Sequence, residues 1–237
     1  MRNPTDHPQF RKLLDSARQM QARLLFLPSV AVGGTAAALY ARHRVSLDVD
    51  FVSPALRERF DEVEDLLLNM PDFQIARVRR PVLILGQIDG DEIGLRQLRR
   101  AEPLDAVLID GLWVPTLPEM IRVKAFVLSD RRAVRDFVDV CALVRTAGIE
   151  QAVAAMATFE PLYAGLSAAG PLTAFAEAAH DDPADAAEVD LASWRLLDPA
   201  YAKLPEVLAC VREFALLALE AAACGESPPS AIRPQGQ

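Results

Sequence analysis

Cysteine is scarce: Cys141, Cys210 and Cys224 are the only three among 237 residues. They are an odd number, far apart, and set in apolar, helix-like sequence with no Cys-x-x-Cys pair. This argues against a disulfide framework and a zinc knuckle and predicts a cytoplasmic chain. Long apolar runs are missing too. The most apolar stretch, residues 207–223, is broken by Arg212 and Glu213, short of the ~18 uninterrupted apolar residues of a spanning helix. The first residues, with Asn3, Pro4, Asp6 and Pro8, lack the apolar region of a secretory signal, so no membrane partner is expected. The three histidines, His7, His43 and His180, form no cluster and are assigned no chemistry. Lysine is as rare: Lys12, Lys124 and Lys203 are three of 25 basic residues. No internal repeat is present.

What remains is a globular composition, 51% hydrophobic and 24% charged, which excludes a disordered or collagen-like chain. The length suits one large domain or one ordinary domain with a helical appendage. The net charge of −8 is unevenly spread: residues 1–148 carry 21 Lys+Arg against 20 Asp+Glu, and residues 149–237 carry 4 against 13. The first part is therefore at +1 and the second at −9. This excludes a chain-wide nucleic-acid surface and leaves room for a basic cleft in the first part.

Apolar spacings of three and four predict an amphipathic helix over residues 10–25 and another over 56–70. Strands are predicted at 29–32, 47–52, 73–78, 82–88 and 92–98, with Asp89-Gly90 as a hairpin turn and a second hairpin, 106–109 with 112–114, around Asp110-Gly111. In the 47–52 strand, Leu47, Val49 and Phe51 are expected to face the core. Thr116-Leu117-Pro118-Glu119 has the capping-box pattern, which sets Lys124 about two turns into a helix. A further helix, 134–145, ends at Gly148. Beyond it the chain is alanine-rich and helical, with an acidic stretch around Asp181, Asp182 and Asp185 read as solvated surface, a long helix over 205–223, and a Pro-, Ser- and Gly-rich tail, 226–237, expected to be disordered. The boundaries drawn are 1–148, 149–225 and 226–237.

Pleat geometry gives the sharpest chemical statement. Side chains two apart in a strand share a face, so Asp48 and Asp50 project together. Two adjacent carboxylates repel unless a cation sits between them, and a hard ion such as Mg²⁺ accepts one or two carboxylates plus substrate phosphates. Alone, the pair fits an amphipathic edge strand with solvated aspartates equally well. Upstream, Gly33-Gly34-Thr35 lies between a strand and a helix N-terminus, where backbone N–H groups can approach a phosphate and the helix dipole favours its charge. Together, at this spacing, the two signals point to a nucleoside triphosphate site.

Val32-Gly33-Gly34-Thr35-Ala36 through Arg44, Ser46 and Asp48-Val49-Asp50-Phe51 resembles the signature of the AbiEii-type nucleotidyltransferases, toxins of bacterial toxin–antitoxin pairs within the DNA polymerase β-like superfamily. Met120 to Ala125 with Lys124, then Arg135-Asp136-Phe137-Val138-Asp139, resembles that family's lysine helix and its Arg-Asp-Phe-x-Asp helix. The likeness spans about residues 25–146. It implies an α/β fold, a mixed sheet flanked by helices, followed here by a helical C-terminal region. It also implies Mg²⁺ on Asp48 and Asp50, an NTP held by Gly33, Gly34, Thr35, Ser46 and Lys124, catalytic roles for Lys124, Asp136 and Asp139, a tRNA acceptor and a cognate antitoxin. For Asp136 and Asp139, i,i+4 ion pairs with Arg132 and Arg135 are the alternative. Arg77, Arg79, Arg80, Arg96, Arg99, Arg100, Arg131 and Arg132 either line a groove for an RNA acceptor or are solvated surface.

One departure stands out: Gly94 falls where many polymerase β-like enzymes carry a third carboxylate. Glu92 shares its face one strand repeat away, too far to substitute without a bulge. Glu92→Gln is therefore expected to leave transfer unchanged and Gly94→Asp to raise it or be neutral. Rival readings are a small-molecule nucleotidyltransferase of the aminoglycoside type and a catalytically weakened nucleotide- or partner-binding protein. A haloacid-dehalogenase-type phosphatase is disfavoured by Phe51 and the upstream glycines, and an Asp-x-Asp glycosyltransferase by the lysine and Arg-Asp-Phe blocks.

Overall fold

The computed structural model describes residues 6–194 and 196–225; the tail assigned to 226–237 lies outside them. In chain order the elements are α1 (Pro8–Arg23), β1 (Val30–Val32), α2 (Gly33–Ala41), β2 (Asp48–Ser53), α3 (Phe60–Leu68), β3 (Phe73–Arg79), β4 (Leu83–Ile88), β5 (Asp91–Gln97), β6 (Ala106–Ile109) and β7 (Leu112–Pro115). Helices follow: α4 (Leu117–Arg131), α5 (Val134–Ala147), α6 (Ile149–Ala155), α7 (Phe159–Leu162), α8 (Pro171–His180) and α9 (Leu204–Ala223).

Five strands form one mixed sheet in the order β1-β2-β5-β4-β3, and β6 and β7 form a separate ribbon. Only β2 and β5 run parallel; the other neighbours are antiparallel. Both expected hairpin turns form, with positive φ at Asp89, Gly90, Asp110 and Gly111, the conformation for which glycine is suited at the second position. One sheet face is apolar. Val49, Phe51, Ile84, Ile93 and Leu95 are buried there, in one core with Phe10, Leu13, Leu14, Ala17 and Met20 of α1. Fully burying a side chain of that size contributes about 1.5–3 kcal/mol. The opposite face carries Asp48, Asp50, Glu92 and Arg96, which are exposed or half-buried.

The core continues through α4 and α5 into the C-terminal helices. There Phe175 lies edge-on to Phe159 and Phe214, at centroid separations of 6.4 and 5.6 Å. Three local expectations are corrected. Helix α1 stops at Arg23 with Leu24 as its cap, so Leu25 is 85% exposed. Strand β2 begins at Asp48, leaving Leu47 outside it and 60% exposed. Helix α4 starts after Thr116, but no side-chain capping bond forms. Glu119 is drawn instead into a buried ion cluster with Arg100 and Arg122, at 2.7 and 2.6 Å. Two guanidiniums outcompete one backbone N–H for a buried carboxylate.

Candidate active site

Register places the glycine turn beside the aspartates. Val32 of β1 pairs with Asp50 of β2, so the chain leaves β1 at Gly33 against the Asp50 side chain. Gly33 has φ +78°, and a Cβ on it would sit 3.8 Å from Asp50 Oδ2. Helix α2 starts at Gly33 itself, and its N-cap Val32 makes no side-chain capping bond. The first backbone N–H groups of α2 thus lack intrahelical partners, the condition under which a helix N-terminus receives an anion. Thr35 is buried, and its hydroxyl donates to the Asp48 carbonyl at 2.5 Å, tying α2 to β2. The buried Ser46 hydroxyl donates to Asp48 Oδ1 at 2.9 Å and so orients that carboxylate.

Across the parallel pair, Glu92 stands opposite Asp48 and Gly94 opposite Asp50. Arg96 Nε donates to Asp50 Oδ1 at 2.9 Å. A Cβ on Gly94 would lie 2.2 Å from that same oxygen and 3.1 Å from Leu85 Cδ2. A side chain at position 94 must therefore displace the Asp50 carboxylate, which bears directly on the expectation for Gly94→Asp. Among the described residues no cluster of three metal-ligating side chains occurs. The donor set, two carboxylates on an open face beside a free helix N-terminus, fits a hard divalent cation that completes its shell with water and substrate phosphates.

Behind this layer lies a buried charge network. Arg44 runs beneath the turn: a Cβ on Gly34 would lie 2.4 Å from Arg44 Nη2 and 2.8 Å from Ser46 Oγ. A side chain at position 34 would have to displace this guanidinium. Arg44 grips Asp139 of α5 with two bonds, Nε to Oδ1 at 2.8 Å and Nη2 to Oδ2 at 3.0 Å. His43 Nε2 is 2.7 Å from Asp139 Oδ1, and Lys124 Nζ is 2.5 Å from Oδ2 and 3.7 Å from Asp136 Oδ1. Lys124, Asp136, Asp139 and His43 are all buried. Burial alone would raise the Asp139 pKa; the charges of Arg44 and Lys124 and the bond to His43 outweigh it and hold the carboxyl well below its usual range. Burial pushes the His43 imidazole down, against the pull of Asp139. His43 is thus neutral at pH 7 and donates through Nε2, leaving Nδ1 buried with no partner. Burial opposes the Arg44 charge, but Asp139 above all, then Asp48 and Asp136, raise its pKa.

The sequence brought Asp48, Asp50, Gly33, Gly34, Thr35 and Ser46 to one place, and the structure keeps them there. Lys124, Asp136 and Asp139 form the inner cluster. His43 was missed because a single histidine in a turn carries no pattern. The available signal was the pair of aspartates in the otherwise apolar α5, which need buried hydrogen-bond donors. The expected i,i+4 pairs do not form. Arg132 is the left-handed cap of α4, outside α5, so Arg131 reaches Asp136 instead, at 3.1 Å. Arg135 is exposed, while Asp139 faces the interior.

The acidic C-terminal stretch is not simply solvated. Asp185 accepts the Val134 N–H at 2.7 Å and caps α5, Asp181 pairs with Arg132 at 2.7 Å, and Asp182 pairs with Arg212 at 3.2 Å. Of the arginines proposed for a groove, Arg100 is buried and bonds the Glu102 and Pro103 carbonyls. Arg80 pairs with Asp61 and Glu64, and Arg99 with Asp130. Arg77 and Arg79 are exposed.

A mixed sheet with its carboxylate pair next to a glycine-opened helix is the nucleotidyltransferase fold, as expected from the motif resemblance. No protein-family model and no curated protein matches the sequence, but solved structures do. MenT4, a nucleotidyltransferase toxin from Mycobacterium tuberculosis H37Rv, superposes with a TM-score of 0.55 at 14% identity, over 92% of this chain and 88% of that one. JHP933 from Helicobacter pylori gives 0.53 at 16% identity, over 92% and 96%. These likenesses establish the shared fold across nearly the whole chain, C-terminal helices included.

Proposed function

We propose that this chain is a Mg²⁺-dependent nucleotidyltransferase that moves a nucleotide from an NTP to an RNA acceptor, tRNA in the first instance, as the toxin of a toxin–antitoxin pair. The observation that carries the reading is the approach of the α2 N-terminus to Asp50, close enough that a Cβ on Gly33 would lie 3.8 Å from its carboxylate. Asp48 and Asp50 would hold the metal, with Ser46 fixing the orientation of Asp48. Mg²⁺ bound there would supply neutralisation of phosphate charge and polarisation of the phosphoryl group. The backbone of Gly33 and Gly34 receives the triphosphate, with no Cβ at Gly33 on the Asp50 side to hold it off. Arg96, bonded to Asp50 Oδ1 in this structure, would be free for a substrate phosphate were that carboxylate to hold the cation. Lys124 and Asp139 act from below: they and Arg44 fix the turn and the aspartate strand relative to α5, and the net charge of that cluster sets the field at the site. Catalysis of this kind rests on positioning and electrostatics.

The toxin–antitoxin pairing and the tRNA acceptor are what the motif resemblance implies; the likeness to MenT4, a nucleotidyltransferase toxin, supports the toxin reading alone. The test is incubation of the purified protein with each labelled NTP, Mg²⁺ and total RNA. Label attached to a discrete RNA species supports the reading. Label attached to none of them, with any of the four NTPs, overturns it.

A further inference from the structure

The aspartate face of the sheet extends beyond the two aspartates, and a β-bulge decides what it presents. On β3, Gln74 pairs with Gln87 and Ile75 with Gly86, but the next pairs are Arg77 with Leu85 and Arg79 with Leu83. Ala76 is the extra residue. Strict alternation from Gln74 would place Ala76 and Val78 on the aspartate face and turn both arginines toward α3. The bulge reverses that parity. Val78 packs into the core instead, and Arg77 and Arg79 join the open face.

Register across the sheet then gives two rows. Asp50, Gly94, Leu85 and Arg77 form one, and Val52, Arg96, Leu83 and Arg79 the other. Three strand spacings of ~4.8 Å set Arg77 about 14 Å from Asp50. Arg77 and Arg79 are exposed and make no ion pair among the described residues, unlike Arg80, Arg96 and Arg99. The half-buried Leu83 and Leu85 form an apolar floor between the charges.

We infer that Arg77 and Arg79, carried onto the aspartate face by the bulge at Ala76, form the strip that holds the phosphate backbone of a single-stranded RNA end entering the site. This rests on the transferase reading above and adds to it the surface on which the acceptor lies. Two guanidiniums two residues apart match successive phosphates of an extended strand, and the leucine floor suits a sugar or base edge between them. A cationic acceptor such as an aminoglycoside would be repelled by the same strip.

The test is binding of a short fluorescein-labelled single-stranded oligoribonucleotide, titrated at several salt concentrations, to wild type, R77A/R79A and R77K/R79K, with Mg²⁺–NTP binding measured in parallel. Each phosphate contact on a single strand contributes about −0.7 to the slope of log K against log salt. The slope of R77A/R79A is therefore expected to fall by about 1.4, to be restored in R77K/R79K, and NTP binding to stay unchanged. An unchanged slope, absence of oligonucleotide binding by wild type, or equal loss of NTP binding in R77A/R79A overturns the proposal. So does equally strong competition by a poly-glutamate peptide, which would mark a site for acidic proteins. If wild type transfers no nucleotide yet the slope change is present, the transferase reading fails while the RNA strip stands.

Discussion

Two glycines in this protein are defined by what passes beneath or beside them. At Gly34 a methyl group would collide with the guanidinium that grips Asp139. Gly34→Ala should cost about 1–3 kcal/mol, the range for overpacking a filled interior, seen as a lower urea midpoint with an unchanged m-value. An unaltered midpoint would show that Arg44 moves aside freely. At Gly94 the collision is with Asp50 itself. Gly94→Ala should leave the circular dichroism spectrum intact and lower transfer at least tenfold, whereas Glu92→Gln, opposite the solvent-exposed Asp48, should leave it nearly unchanged. Equal rates for wild type and Gly94→Ala would mean that Asp50 works equally well from a displaced position. Lys124 carries a different expectation from a surface cation. Removing it by Lys124→Ala takes one cation from two buried carboxylates that keep Arg44, His43 and Arg131 as partners, so stability should drop by about 1.5–3 kcal/mol along with activity. A fully stable, inactive Lys124→Ala protein would assign the lysine to the substrate alone.

At the scale of elements, the corner between α4 and α5 is held from outside. Asp185 caps α5 across 51 residues of sequence, and the Arg132 carbonyl accepts the Ala184 N–H. Asp185→Ala should destabilise by about 1 kcal/mol, within the usual 0.5–2 for a lost N-cap. A change below a few tenths would show that water replaces the cap.

The α2–β2 turn that carries His43 gives the protein a pH dependence with a definite sign. His43 has a lowered pKa in the fold, so the unfolded chain takes up a proton that the folded one refuses. Stability should fall as pH drops below the ordinary histidine value of about 6.5, by at most ~1.4 kcal/mol per pH unit. The depressed Asp139 acts with the same sign at lower pH: its contribution is complete above about pH 4 and is lost as pH falls through the lowered value. His43→Gln, which keeps a donor for Asp139, should remove the first limb in thermal melts between about pH 5 and 7 and leave the second. Persistence of the first limb would move its origin to another group.

Across the whole molecule, what the sequence showed and what it hid follow one division. Elements with a strong period, and turns such as Asp89-Gly90, were legible because local sterics alone dictate them. The Asp48–Asp50 pair and the glycine turn were legible because both lie within one short stretch, where strand parity and loop length fix their relation. Contacts made by distant segments were not. The Arg44–Asp139 bond joins residues 95 apart and the Asp185 cap residues 51 apart, and no periodicity encodes either. The bulge at Ala76 was hidden for a related reason: a single inserted residue leaves the composition of a strand untouched and inverts which side chains face the site. Leu47 and Leu25 show the converse error, apolar residues read into a face that the element ends before reaching.

The central claim is that Asp48 and Asp50, standing against the α2 N-terminus, carry out nucleotide transfer. Its most direct test is the rate at which α-phosphate label passes from NTP to RNA in wild type, Asp48→Asn and Asp50→Asn, with circular dichroism and thermal melts confirming the fold of each. The expected result is Mg²⁺-dependent transfer by wild type and a loss of at least a hundredfold in both variants with their folds intact, since neither side chain belongs to the apolar face. Transfer at the wild-type rate by either folded variant would contradict the account.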